Sequence, residues 1–566
     1  MRRIVLIAWL LLPGAALVAQ QANPAASVGP PRFTISGTVV NANGGQPIAH
    51  AQVNIQSVDG RGTWTARGDD VGRFAFAGIA PGKYLLAGEA HGFVRQAYDE
   101  HEGFSSAIVA GPGLVSEGLV FRLKPEAVIT VKVRDEFEEP VRNGMATLFR
   151  EAVEEGQYKV QVRAMAGLND EGSCTFAHLP AGKYFVAIKA RPWYAQPGLA
   201  PAGPSRNSGL FDATYPITYY SDATDAAAAT AIPLQPGERA LADMSLRAVP
   251  AARLEISLPP GLTGTQQSAR LEQPSFNGFR MPVDGLNVRN TQDHIELSGF
   301  APGHYILNLD SFPPQRVRTG LAGDPRFPLQ QAKSGLAGDP GFGDRSRSSR
   351  YREIDVAGVT EIDGSEAEVY SAVSGAVSFE GTPGVPPQAF LQLVNSRSAQ
   401  ALGAPISAAG EFALQGDLAP GSYQVRVANA PGFVTKSVSA TGAKVQGTTV
   451  EIRSGEPVRR SVAAVSTGLA KVEGVALRGK QPAAGAMVVL VPLNPAASVE
   501  WFRRDQSDSD GTFTLAAVLP GDYTVIAVND WTLQWASRRA LQPYVSGGQR
   551  LHVEANKQYR ASPQVQ

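Results

Sequence analysis

Pro81-Gly82-Lys83-Tyr84 returns four more times: as Pro180-Ala181-Gly182-Lys183-Tyr184, Pro302-Gly303-His304-Tyr305, Pro420-Gly421-Ser422-Tyr423 and Pro520-Gly521-Asp522-Tyr523. Proline presets φ for the first corner of a tight turn, and glycine accepts φ > 0 at the second. A strand-like run follows, such as Tyr184-Phe185-Val186-Ala187-Ile188 or Tyr523-Thr524-Val525-Ile526-Ala527. Its tyrosine can bury the ring and keep the hydroxyl at the edge for a hydrogen bond. The tyrosines at 84, 184, 305, 423 and 523 stand 100 to 121 residues apart, which is one β-sandwich per period.

A second signature precedes the first by about ten residues in four of the five copies. It reads Asp69-Asp70-Val71-Gly72-Arg73-Phe74, Asp170-Glu171-Gly172-Ser173-Cys174-Thr175-Phe176, Ala408-Ala409-Gly410-Glu411-Phe412 and Asp508-Ser509-Asp510-Gly511-Thr512-Phe513. Asp-Gly between strand segments is a hairpin signal. The third copy has Gln292-Asp293-His294-Ile295 and no glycine, so a different hairpin is expected there. Modules open on alternating strands such as Ile35-Ser36-Gly37-Thr38-Val39 and Val472-Glu473-Gly474-Val475. The period is two and no long stretch shows 3.6, so helix content should be low.

The fold expected is therefore all-β: a tandem array of about five transthyretin-like or immunoglobulin-like sandwiches at 31–124, 125–248, 249–366, 367–465 and 466–562, after a signal peptide at 1–22 and a short linker at 23–30. With 59 glycines and 41 prolines in 566 residues, turns are plentiful, and a hydrophobic fraction of 43% gives each sandwich its own core. Residues 313–350, where Gly320-Leu321-Ala322-Gly323-Asp324-Pro325 recurs as Gly335-Leu336-Ala337-Gly338-Asp339-Pro340, read as a mobile strandless insertion in module three.

Arg2 and Arg3 precede an apolar run, Ile4 to Leu12, broken by Pro13-Gly14 and followed by Ala15, Ala16 and Ala19. This is the pattern of a secretory signal cleaved between Ala19 and Ala22, and the run is far shorter than the roughly 20 residues that span a bilayer. Export to the periplasm or beyond is expected, with no membrane span in the mature chain. Lys plus Arg equals Asp plus Glu at 51 each, so no global field steers the chain to nucleic acid. Cys174 is the only cysteine, and its strand context makes it a small buried hydrophobe.

The order of opening strand, Pro, strand, Asp-x-x-Gly-x-Phe and Pro-Gly-x-Tyr resembles the carboxypeptidase regulatory-like domain. That resemblance implies a small transthyretin-like sandwich, grouped with carbohydrate-binding-like folds and with the B-type repeats of bacterial surface adhesins. Modules one, two and five carry it well, module four fairly and module three weakly. The whole arrangement is similar to large exported proteins of Acidobacteria, in which Tyr219-Tyr220-Ser221-Asp222-Ala223-Thr224-Asp225 and the stretch from Trp531 to Tyr544 have counterparts. The resemblance implies fold and export; such domains are mostly accessory, so it says less about activity.

No catalytic, cofactor or metal site emerges from the residues. There is no HExxH, no G-x-S-x-G and no P-loop. Asp99-Glu100-His101-Glu102 reads as a solvated acidic loop before it reads as a cation site, and Asp505, Asp508 and Asp510 as a β-turn before a calcium loop, since a closing glutamate is missing. Lys471 and Asn556 sit where adhesin-type sandwiches form an isopeptide, but a solvated pair is the plainer reading. Two aromatic groups could stack on sugar faces or anchor a protein partner: Trp531, Trp535 and Tyr544 in module five, and Trp193, Tyr219 and Tyr220 in module two, where Tyr194 and Tyr215 also lie. Covering an open sandwich end is the blander use. The function expected is a non-catalytic envelope-binding or structural scaffold of bead-like modules, with glycans or envelope proteins as partners. The alternatives are a carbohydrate-binding protein using these aromatics and, more remotely, an enzyme of unrecognised type.

Overall fold

The structure is a computed structural model that describes residues 31–566, apart from 155, 196–211, 259–265, 292, 313–347, 381–383, 396–400, 431–432, 456–457, 467, 495–496 and 498. The expected signal peptide and both Gly-Leu-Ala-Gly-Asp-Pro repeats lie outside the described residues.

The chain is all-β and repeats one topology five times. In every module the opening strand lies between an antiparallel neighbour and a parallel one that closes the module. Phe33–Asn41 sits between Arg73–Ile79 and Leu119–Leu123. Ala127–Arg134 sits between Ser173–Leu179 and Arg239–Ser245. Ala252–Ser257 sits between His294–Phe300 and Val359–Asp363. Ser371–Glu380 sits between Glu411–Leu418 and Val458–Ser466, and Ala470–Val475 between Thr512–Val518 and Gln558–Ala561. The second sheet of each sandwich is centred on the strand that begins at the Pro-Gly-x-Tyr glycine. Gly82–Glu89 pairs Gln52–Ser57, Gly182–Lys189 pairs Met145–Glu154, and Gly303–Phe312 pairs Gln266–Pro274. Gly421–Ala428 pairs Phe390–Asn395, and Gly521–Val528 pairs Met487–Pro492.

The tyrosine does the same work in all five copies. Each ring is buried in its module's core, with Tyr184 and Tyr523 fully enclosed. Each hydroxyl donates to the carbonyl four residues upstream: Tyr84 to Ala80 (2.8 Å), Tyr184 to Pro180 (2.6 Å), Tyr305 to Ala301 (2.6 Å), Tyr423 to Ala419 (2.8 Å) and Tyr523 to Leu519 (2.8 Å). The bond pins the turn to the strand it feeds, as a tyrosine corner does, and contributes about 1 kcal/mol. The glycine does not sit at the αL corner that the Pro-Gly pattern suggests, although in four copies its φ is still one that side chains rarely adopt. Gly82, Gly182, Gly421 and Gly521 hold positive φ of 154° to 157° and are the first residues of their strands.

The hairpin glycines do need their freedom. Gly72 (φ 72°) and Gly511 (φ 79°) are left-handed, and an added Cβ would stand 2.7 Å from the Val39 carbonyl oxygen and 2.8 Å from the Pro482 Cβ. Module three differs as its sequence suggests: Asn287–Asn290 hairpins directly onto His294–Phe300 and joins the first sheet. Residues 348–350, read from sequence as part of a strandless insertion, instead open the strand Ser348–Val356, which pairs along Gly303–Phe312. Ser348-Ser349-Arg350 carries no alternating apolar signal, so periodicity could not mark it as strand.

One α-helix occurs among the described residues, Arg538–Val545, capped by the Ser537 hydroxyl, which accepts from Ala540 N. It covers the outer face of module five's second sheet. There Met487, Val489, Val491, Ile526 and Val528 are buried together with Leu541 of the helix. This explains why Met487–Pro492 is buried on both faces rather than alternating.

Candidate ligand-binding cleft and module interfaces

Module five returns to modules one and two, so contacts do not run only between neighbours in the chain, as a row of beads would have them. The loop Asp508-Ser509 docks on the edge strand Ile108–Ala110 of module one. Ala107 N donates to Asp508 Oδ1 (2.8 Å), Val109 N to Ser509 Oγ (2.9 Å) and Ser509 N to Ala107 O (2.9 Å). Lys83 Nζ donates to Asp508 Oδ2 (2.5 Å) and Thr512 Oγ1 (2.8 Å). Ser106 Oγ donates to Ser507 O (2.9 Å), and Gln506 Nε2 donates to Asp99 O (2.5 Å) and Ser106 Oγ (3.0 Å). Ser106, Arg504, Gln506 and Ser507 are all buried there, so this is a desolvated polar contact. Module two joins through Tyr158 Oη, which donates to Thr532 O (2.6 Å), and Ala536 N, which donates to Gly156 O (3.2 Å).

The module-five aromatics sit in this contact. The Trp531 ring stacks on His101 at 4.0 Å and 9°, and Trp535 meets Phe104 edge-on at 6.3 Å. The Arg504 guanidinium lies 4.2 Å from the Phe104 ring centre and 5.6 Å from that of Trp531, and burial lowers its pKa to about 10. Trp531, Trp535 and Tyr544 also pack against the covered sheet face of module five.

The acidic positions weighed as cation sites are engaged separately. Asp505 accepts from Thr514 N (2.7 Å) and Gln506 N (2.9 Å). Its pKa is raised to about 6 by burial, against the pull of those two N–H bonds. Asp508 faces module one, and Asp510 accepts from Thr512 N (3.0 Å). Glu100 caps Ala97 N (2.6 Å). No group of three potential metal ligands gathers among the described residues. Lys471 pairs with Glu473, and Asn556 is a left-handed turn residue (φ 56°). Cys174 is half-buried, and burial pushes its thiol up to about 11, which suppresses the thiolate.

Modules two and three meet over a second covered sheet face. Phe149, Ala187, Ile217 and Tyr219 of module two are buried with Met281 of module three, and Phe276 and Phe279 pack on them. The Tyr219 hydroxyl donates to Ser275 Oγ (2.9 Å), while Tyr220 packs against module two's own core. Beside this contact the modules leave a cleft of about 920 Å³. Module two contributes Asp135, Glu139 to Met145, Lys189 to Trp193 and Thr214 to Ile217; module three contributes Gln273, Val283, Asp284, Gly299 to Ala301 and Tyr305. Trp193 lines it and remains 79% exposed. Tyr194 meets Trp193 at 5.7 Å and Phe137 at 6.2 Å, both edge-on. The Glu136 carboxylate accepts from Tyr194 Oη and from Tyr215 Oη (3.0 Å), and burial together with that carboxylate raises both phenol pKa values.

Sequence reasoning missed the polar contact of Gln506, Ser507 and Ser106, and it missed Phe276 and Phe279. One signal was available: Arg503-Arg504-Asp505-Gln506 puts polar residues at every position of a strand whose inward face should be apolar.

The fold and contacts define a tandem β-sandwich protein whose modules dock on one another. Residues 34–110, which cover the first sandwich up to but not including its closing strand Leu119–Leu123, match the carboxypeptidase regulatory-like domain family. Among curated proteins no sequence matches the chain. Solved structures similar to it include the TIE protein of Bacillus anthracis, at 11% identity and TM-score 0.16 over 77% of this chain and 75% of that one. The minor pilin GBS52 of Streptococcus agalactiae aligns at 11% identity and TM-score 0.22 over 38% of this chain and 97% of its own. The shaft pilin SpaA of Lactobacillus rhamnosus GG aligns at 10% identity and TM-score 0.19 over 39% and 98%.

Proposed function

We propose that this chain is exported and acts in the cell envelope as a non-catalytic binding or structural scaffold, of the kind that its arrangement resembles in Acidobacteria. The observation that carries the reading is the return of module five. Asp508, Arg504, Gln506 and His101 hold module to module. Groups engaged in this way stabilise an architecture and are not poised over a substrate. Export rests on Arg2, Arg3 and the apolar run to Leu12. Among the described residues no helix is long and apolar enough to cross a membrane. Expression with the native N-terminus, followed by fractionation and N-terminal sequencing, tests this. A mature chain beginning between residues 20 and 23 in the periplasm or medium is expected. An intact chain retained in the cytoplasm would remove the envelope reading.

A second reading, glycan recognition through loop aromatics, is favoured at one place. Trp193 offers an open ring at the mouth of a cleft, whereas Trp531 has one face against His101.

A further inference from the structure

We propose that the cleft between modules two and three is a binding site for a neutral oligosaccharide, with Trp193 as its stacking platform. This rests on the second reading above and gives it a location, a ligand class and a set of residues.

The argument starts from size. About 920 Å³ falls at the upper end of the range of small-molecule sites, roughly 300–1,000 Å³. The ring at its mouth comes next. A tryptophan left 79% exposed costs hydration free energy that burial would recover, and here it is held by Tyr194, itself fixed by its hydroxyl on Glu136. The negative face of an indole suits the C–H groups on one face of a pyranose ring.

Charge selects within that class. The lining holds three acids, Asp135, Glu139 and Asp284, and three bases, Arg142, Lys189 and Arg191. The bases are already engaged: Lys189 with Asp284, Arg191 Nη2 with the Asp284 (2.8 Å) and Gly285 carbonyls, and Arg142 Nε with Asp170 O (3.2 Å). No net field therefore attracts an acidic or basic ligand, while Asn143, Gln273 and Glu139 bring amide and carboxylate groups suited to sugar hydroxyls. A peptide bound as an added strand would need an open strand edge. The walls are turns and strand ends, and the strand ending at Lys189 is paired on both sides, Met145 opposite Lys189 and Thr218 opposite Ile188.

The experiment is a glycan array probed with mature full-length protein, with neutral and acidic oligosaccharides and a peptide panel, repeated with Trp193→Ala, Trp193→Tyr and Trp531→Ala. Expected are saturable binding of a neutral class, weakening by about 30-fold or more in Trp193→Ala, as for a hot-spot truncation, retention of most affinity in Trp193→Tyr, and no change in Trp531→Ala. Because Trp193 is exposed, its variants should keep the wild-type melting temperature. Neutral glycan binding indifferent to Trp193→Ala would overturn the cleft and leave the glycan reading standing. Binding confined to acidic glycans would overturn the neutral-ligand proposal and leave the glycan reading standing, whereas binding confined to peptides, or a blank array, would overturn both.

Discussion

The turn before the aromatic strand follows one backbone plan in modules two and five but uses its first side chain differently. In both, the glycine N–H returns to the carbonyl three residues earlier, Gly172 to Asn169 (2.9 Å) and Gly511 to Asp508 (2.8 Å). In module two Asn169 Oδ1 turns inward and accepts from Glu171 N (3.0 Å) and Ser173 N (2.9 Å). In module five the corresponding Asp508 turns outward to Ala107 N and Lys83 of module one, and Asp510 takes over the local bond to Thr512 N. A repeated turn can thus become a docking element when its cap moves two residues along. The backbone survives because the carbonyl bond and the left-handed glycine hold it without the first side chain.

The largest effect should fall on what the turns share. Gly72→Val and Gly511→Val each put a branched side chain at positive φ against crowded neighbours, and each should cost about 4 kcal/mol or more. Denaturant unfolding measures it, and a cost under about 1 kcal/mol in either would break the shared plan. Next comes pH, which belongs to module five. The folded pKa of Asp505, about 6, lies above the ordinary 3.8, so the folded state holds a proton the unfolded state has lost. Its contribution therefore favours folding at low pH and declines as pH rises from about 4 to about 6, by roughly 3 kcal/mol. Asp505→Asn should remove that decline, so the variant gains on the wild type across this window. A difference between the two that is flat with pH would refute the assignment. Asp508→Ala should cost about 2 kcal/mol by leaving Ala107 N without its acceptor and Lys83 with Thr512 Oγ1 but no carboxylate, and should speed hydrogen exchange at Ala107 and Val109 while leaving module two unchanged. The smallest effect is expected from Asn169→Ala: about 1 kcal/mol or less, confined to its own hairpin.

The modules themselves were legible because their signals are local. Pro-Gly-x-Tyr and Asp-x-x-Gly-x-Phe carry their turn chemistry within a few residues, and the period of two marks the strands between. The return of module five was not legible, since Ala107 and Asp508 stand 401 residues apart and no local pattern couples them. The helix Arg538–Val545 escaped notice because it is short and contains Pro543. At the candidate cleft, Trp193 was marked from sequence as a possible stacking ring. Its counterpart wall, Gln273, Asp284 and Phe300, comes from another module, and only the packing of Phe276 and Phe279 on module two brings it near.

The parallel pairing of first and last strands has a mechanical consequence. When a module is pulled by its two ends, these neighbouring strands are drawn in opposite directions along their length, so their hydrogen bonds are loaded together in shear instead of unzipping singly. Resistance should then follow ladder length. Module two pairs Arg239 to Ser245 against Val128 to Arg134, whereas module five pairs only Lys471 to Gly474 against Gln558 to Ala561. Under tension the contact with module one should part first and module five should extend before module two. Single-molecule pulling would read this as an early rise at low force followed by higher, module-sized steps.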